Sequence, residues 1–163
     1  MKAMLSREPG GPETLELAEV PDPRPGTGEV GETVFAVPQG SLGFWQNRIG
    51  GERASRFGEE LLRFHGPDGD RFALVETDDA RQGWTGAVDA DHAVRGFRGA
   101  SLRLRDGGAT GELLRLMGYE AEANEGSVTR YRLPNGNGAD VIDIETLPGI
   151  DAARQGGGSV HPV

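Results

Sequence analysis

The chain contains no cysteine in 163 residues. That excludes a disulfide framework, a thiolate metal site and a cysteine nucleophile. It also lacks an apolar run near the ~20 residues of a membrane span, and its N-terminus lacks the apolar core of a signal peptide. A cytoplasmic protein is the expectation, with no membrane partner. No block of Lys and Arg interleaved with aromatics occurs, and the net charge is −9, which argues against a broad basic face for nucleic acid. Aromatics are sparse at 6%, while hydrophobic residues reach 36% against 26% charged. Such a chain builds one domain with a modest core. A second copy of the chain is the expected source of further burial, making a homodimer.

What is present is punctuation: 27 glycines and 10 prolines, spread through turns. Residues 2–6 and 14–20 read as two short strands around a Pro9-Gly-Gly-Pro12 break. Residues 21–28 form an extended Pro-rich linker. From Gly31 a new pattern starts. Residues 33–37 read as a strand. Ser41 caps a short helix carrying Leu42, Trp45 and Ile49 on one face. Residues 60–64 and 71–75 read as two strands joined by a turn. Gly50 to Arg56 looks too short and too polar for a strand, so this first copy reads as degenerate. Residues 78–92 form a connector.

The pattern then recurs. In "AVRGFRGASLRLRD", Ala100, Leu102 and Leu104 alternate with Ser101, Arg103 and Arg105, the period of a half-buried strand. A helix over 109–117 follows, with Leu113, Leu114 and Met117 on one side, Asp106 or Thr110 as its cap and Gly118 as its stop. Three strands come next, over 119–123, 128–133 and 139–145. A flexible tail covers 149–158, and residues 159–163 read as the start of another strand. The segments are therefore 1–30, 31–77, 78–92, 93–148 and 149–163. The internal repeat is the strongest architectural signal.

The repeat and the phrases "TVFAVPQGSLGFWQNRI", "RFGEELLRFHGPDG", "AVRGFRGASLRLRD" and "GGGSVH" resemble the vicinal oxygen chelate superfamily, within it the bacterial glyoxalase-like ring-cleaving dioxygenases. The resemblance spans about residues 31–163. It implies an α+β fold of tandem βαβββ modules, a mixed sheet curved around a cleft. It also implies a divalent metal, iron or manganese, held by two histidines and a glutamate with open positions for an aromatic diol and O2. Residues 1–30 resemble the opening strands of quinone oxidoreductases. No glycine-rich strand-to-helix turn for a nicotinamide follows.

Carried over residue by residue, the ligand set is incomplete. Arg98 stands where the resembling strand has a histidine. His161 matches the second histidine. Ala73 stands at the earlier module's carboxylate position, and Glu145 is the remaining strand-borne candidate. A cation beside Arg98 meets a like charge. Arg98, Phe97 and Tyr131 are the candidate ligand-binding residues for a small aromatic molecule, since a guanidinium pairs with an anionic ligand. Trp45 reads as core. Trp84 is a further candidate for an aromatic-lined cleft. His65 and His92 read as loop histidines, and Glu76, Asp78 and Asp79 as a solvated strand end. Asp143 and Glu145 share a strand face with Val141, read as the outer face of an antiparallel sheet. The expectation is a ring-cleaving dioxygenase-related protein acting on aromatic diols or hydroquinones, its metal site incomplete. Two alternatives are a non-catalytic binding module without cofactor, and an inactive mosaic.

Overall fold

The computed structural model describes residues 2–6, 15–19 and 29–149. Strands β1 (Lys2–Ser6) and β2 (Leu15–Glu19) pair antiparallel as a small separate sheet, where the sequence places two strands. The rest forms two βαβββ modules. The first is β3 (Glu29–Val37), α1 (Leu42–Ile49), β4 (Glu52–Arg56), β5 (Glu59–His65) and β6 (Arg71–Glu76). The second is β7 (Gly96–Leu104), α2 (Gly108–Leu116), β8 (Glu120–Glu125), β9 (Val128–Arg132) and β10 (Val141–Thr146). Their strands form one curved mixed sheet in the order β4-β5-β6-β3-β7-β10-β9-β8.

That order reads the same from either end. In each module the last strand runs parallel to the first, β6 beside β3 and β10 beside β7, and the modules join through the antiparallel β3–β7 pair. The glyoxalase-like fold read from the repeat is thus the observed one. The first module is not degenerate, however. β4 occupies the segment judged too polar, pairing Ala54 with Leu61. It is an edge strand, so one ladder and solvated side chains suffice for it, and only its last residue, Arg56, is buried.

The core lies on both faces of the sheet. β5 and β6 alternate, sending Leu61, Ala73 and Val75 to one face with Val34, and Leu62 and Leu74 to the other with Val37 and Leu42 of α1. Each fully buried Leu adds about 1.5–3 kcal/mol. Trp45 packs on this helix-covered face as expected, and its Nε1 donates to the His92 carbonyl at 2.9 Å. The Ser41 side chain does not cap α1. Its hydroxyl donates to Pro38 O at 2.6 Å, and the Leu42 amide donates instead to Glu76 Oε1 at 2.8 Å. Strand β6 thereby anchors the helix start, and its acidic end is not merely solvated.

In the second module, Leu114 of α2 packs with Leu104, Ile144 and Tyr131. Leu113 and Met117 do not join it. They are 53% and 60% exposed, beside Leu116 at 85%. A nine-residue helix on a sheet buries one narrow stripe, and Leu114 fills it. Among the described residues, no helix is long and apolar enough to cross a membrane.

Candidate functional site: the cleft between the modules

The sheet face without helices is the cleft. Its first-module side is apolar, formed by Val34, Leu61, Ala73 and Val75. Charge from both modules surrounds that floor. Three features of local structure put it there.

The first is a bulge in β7. Val34 of β3 pairs with Gly99, and Phe35 pairs with Phe97, so Arg98 has no partner on β3. Strict alternation would place Arg98 with Ala100 and Leu102, toward α2. The bulge turns it into the cleft, where Nη1 donates to Asp140 Oδ1 at 2.7 Å and Nη2 to Glu59 Oε1 at 3.4 Å. Arg81 braces the bulge from outside. Its Nη2 donates to Phe97 O at 2.7 Å and its Nε to Asp79 Oδ2 at 2.7 Å. That pairing holds the Asp79 carboxyl below the usual carboxylate range and Arg81 above the usual arginine value, the side-chain hydrogen bond being the main cause in both.

The second feature is the β4–β5 hairpin. It delivers Arg56 and Glu59 from either side of its turn. The third is β10, which sends Ile142 and Ile144 under α2 and Asp143 into the cleft. The face assigned to the outside of an antiparallel sheet is therefore the inside of the molecule. β10 lies parallel to β7 and is covered by the opposite module.

These groups form one network. Asp143 accepts from Arg130 Nε at 2.8 Å and Nη2 at 3.0 Å, and lies 3.4 Å from Arg56 Nη1. Glu32 accepts from Arg56 and, at 2.8 Å, from Arg63 Nε. Glu59 joins Arg98 to Arg130. Glu32 and Asp143 are each 2% exposed, Arg130 5% and Arg56 8%. Burial pushes the Arg130 guanidinium toward a lower pKa, but Asp143 and Glu59 outweigh it and hold the group above the usual arginine range. Charges buried to this degree persist only when paired, and these are.

The interior left over is small. Arg56, Arg98, Arg130, Glu59 and Asp143 enclose, with Val34 and Val75, a cavity of about 10 Å3. That is room for a single water-sized group, not an aromatic ring. Outside Arg98, a wider groove of about 470 Å3 opens beside Asp79, Arg132 and Asn137.

The sequence-derived candidates fall into separate places. Arg98 is in the cleft. Glu145 shares that face but lies farther out, accepting from Arg103 Nε at 3.0 Å. Tyr131 is buried under α2, on the far side of the sheet. Phe97 is 58% exposed, stacked on Phe35 at 5.0 Å, on the α1 side. Neither aromatic lines the cleft. Ala73 is fully buried in its apolar floor. His65 ends β5 rather than lying in the turn, and His92 pairs with Asp89 at 2.7 Å. Trp84 is 77% exposed. His161 and the tail over 150–163 lie outside the described residues. Glu32, Arg56, Glu59 and Arg130 were not anticipated. For Glu32, Glu59 and Arg130 the one signal is a charge at an inward position of a partly apolar strand; Arg56, on the polar edge strand β4, carries none.

The described residues of the cleft do not fit a two-histidine, one-carboxylate metal centre. Guanidiniums of Arg56, Arg63, Arg98 and Arg130 face carboxylates of Glu32, Glu59, Asp140 and Asp143, four against four. Every carboxylate is engaged, leaving no surplus negative charge for a divalent cation. Among the described residues, no group of three or more potential ligands gathers.

No family model matches the chain. It is 36% identical over 146 residues to a protein named as a ring-cleaving dioxygenase, MhqO of Bacillus subtilis (strain 168). That match covers 85% of this chain and 46% of MhqO. It is 28% identical over 151 residues to chlorohydroquinone/hydroquinone 1,2-dioxygenase of Sphingobium indicum, covering 83% of this chain and 46% of that protein. A crystal structure named as a dioxygenase from Bacillus subtilis superposes with a TM-score of 0.70 at 36% identity, over 76% of this chain and 42% of that one. The chain thus spans about half the length of the curated relatives it matches. Sequence likeness to ring-cleaving dioxygenases and the paired βαβββ modules together place the chain in the vicinal oxygen chelate superfamily.

Proposed function

We propose that these two modules form a metal-free unit of the ring-cleaving dioxygenase lineage, which receives a small aromatic molecule without cleaving it. The observation that carries this reading is Arg98. A bulge aims a permanent cation at the centre of the cleft, and two carboxylates neutralise it there. Extradiol-type cleavage of a diol or hydroquinone needs a metal with open positions. In a protein containing these modules, that metal belongs outside the cleft described here. His161 is a candidate ligand for it, and Glu145 is not drawn toward any histidine.

The test is oxygen consumption by the purified chain, loaded anaerobically with Fe(II) or Mn(II) and given hydroquinone or catechol. The expected rate is that of free metal. Turnover above that background, abolished by Asp143→Asn, would overturn the reading. From the modest apolar content of the chain, we further propose that two copies associate. Light scattering is expected to return twice the chain mass, and the mass of one chain contradicts it.

A further inference from the structure

The turn joining β4 to β5 holds Phe57 at φ 51° and Gly58 at φ 75°. Both central residues of this tight hairpin are left-handed. Glycine, asparagine and aspartate take such positions readily, whereas a bulky ring is out of place there. The strain is kept in place by what the turn touches. The Phe57 amide donates to Glu125, at the end of β8. The Phe57 ring lies over the Arg130 guanidinium, 4.3 Å from it. Two residues on, the Glu59 carboxylate straddles Arg98 through Oε1 and Arg130 through Oε2. One hairpin tip therefore crosses the cleft and places an aromatic ring and a carboxylate on the same guanidinium.

From this we propose that the cleft is a binding site for an aromatic carboxylate, which the chain's own Phe57 ring and Glu59 carboxylate occupy in the closed state. This rests on the metal-free reading above and names its ligand class. The incoming carboxylate replaces Glu59 between Arg98 and Arg130. Its ring takes the Phe57 position over the Arg130 guanidinium. Arg130 is already oriented for this by Asp143, which grips Nε and Nη2 and leaves Nη1 for the carboxylate. A planar guanidinium offers both the fork and the stacking face that such a ligand needs. The Nε groups of Arg56 and Arg98, buried in the cleft wall, have no protein acceptor, so the closed state leaves donors unused. Entry is from the wider groove on which Arg98 also borders.

Benzoate is the probe, titrated calorimetrically into metal-free protein, with neutral benzamide as the control. An internal competitor lowers apparent affinity in proportion to the closed fraction, so Phe57→Gly is expected to tighten benzoate binding about tenfold or more. Glycine takes the left-handed turn without strain, so this variant is expected to fold. Glu59→Gln removes the competing charge and is expected to tighten benzoate in the same direction, providing a second arm independent of the turn. Benzamide is expected to bind none of the three proteins. Equal benzoate affinity in wild type and both variants, or benzamide binding as well as benzoate, would overturn the proposal. The titration contains no metal, so its failure leaves the metal-free reading intact; that reading falls only to the oxygen and manganese measurements.

Discussion

Replacing Arg130 by methionine is expected to lower the free energy of unfolding by about 3–5 kcal/mol at neutral pH, measured by urea denaturation. The size follows from what is left behind. Asp143 is 2% exposed and takes two of its hydrogen bonds from Arg130, at 2.8 and 3.0 Å. Methionine fills most of the volume but donates nothing. Only Arg56, 3.4 Å from the other side, then offsets the buried carboxylate. The double variant Arg130→Met/Asp143→Leu is expected to recover most of the loss, because a buried pair replaced by apolar groups of similar size is often neutral. The Arg130 pKa is raised in the folded state, so its stabilisation is fully present below the ordinary arginine value and is lost only above it, outside the working range. A cost below about 1 kcal/mol for the single variant would mean that the pair is solvated like a surface pair. The cleft would then be open.

Gly99→Ala is expected to cost about 3 kcal/mol or more, at the upper end of overpacking effects. A methyl group there would sit 2.1 Å from the carbonyl oxygen of Val141 and 2.9 Å from its carbonyl carbon. Those atoms belong to the neighbouring strand, not to a side chain that can swing away. Gly99 is also the residue where β7 meets Val34 of β3 and Val141 of β10 at once, immediately after the Arg98 bulge. Relief therefore means separating β7 from β10, and with them the Arg130–Asp143 side of the network. Gly43→Ala is the matched control. It lies in α1 with open space around the new methyl. It is expected to be neutral or to stabilise by up to ~1 kcal/mol, through helix propensity. Equal effects from the two substitutions would show that the strands do not approach as closely as described.

The repeat and most strands were legible because their side chains obey period two, and the helices because Leu42, Trp45 and Leu114 mark their buried stripes. The cleft chemistry was less legible, for three physical reasons. A bulge breaks the period without leaving a mark in residue types, so "RGFRGASLRLRD" alone does not reveal that Arg98 changes face. An edge strand such as β4 needs no apolar pattern, so the segment that delivers Arg56 looked like a loop. The network joins β3, β4, β5, β7, β9 and β10, with partners such as Arg130 and Glu59 that are 71 positions apart, and no local window contains it. Asp143 was placed on the right strand face. Its surroundings were misjudged because burial of that face depends on the opposite module.

On the metal-free reading, guanidinium–carboxylate pairs and not a metal fill the cleft between the two modules, which the β3–β7 pair already joins. The most direct test is a manganese titration followed by electron paramagnetic resonance, comparing the wild-type chain with Asp143→Asn. The prediction is that the signal of free Mn(II) is undiminished in the same way by both proteins, any weak uptake being independent of Asp143. Loss of about one equivalent of the free signal in the wild type, restored by Asp143→Asn, would contradict the account, because a divalent ion in the cleft requires the carboxylate that Arg130 and Arg56 are described as holding.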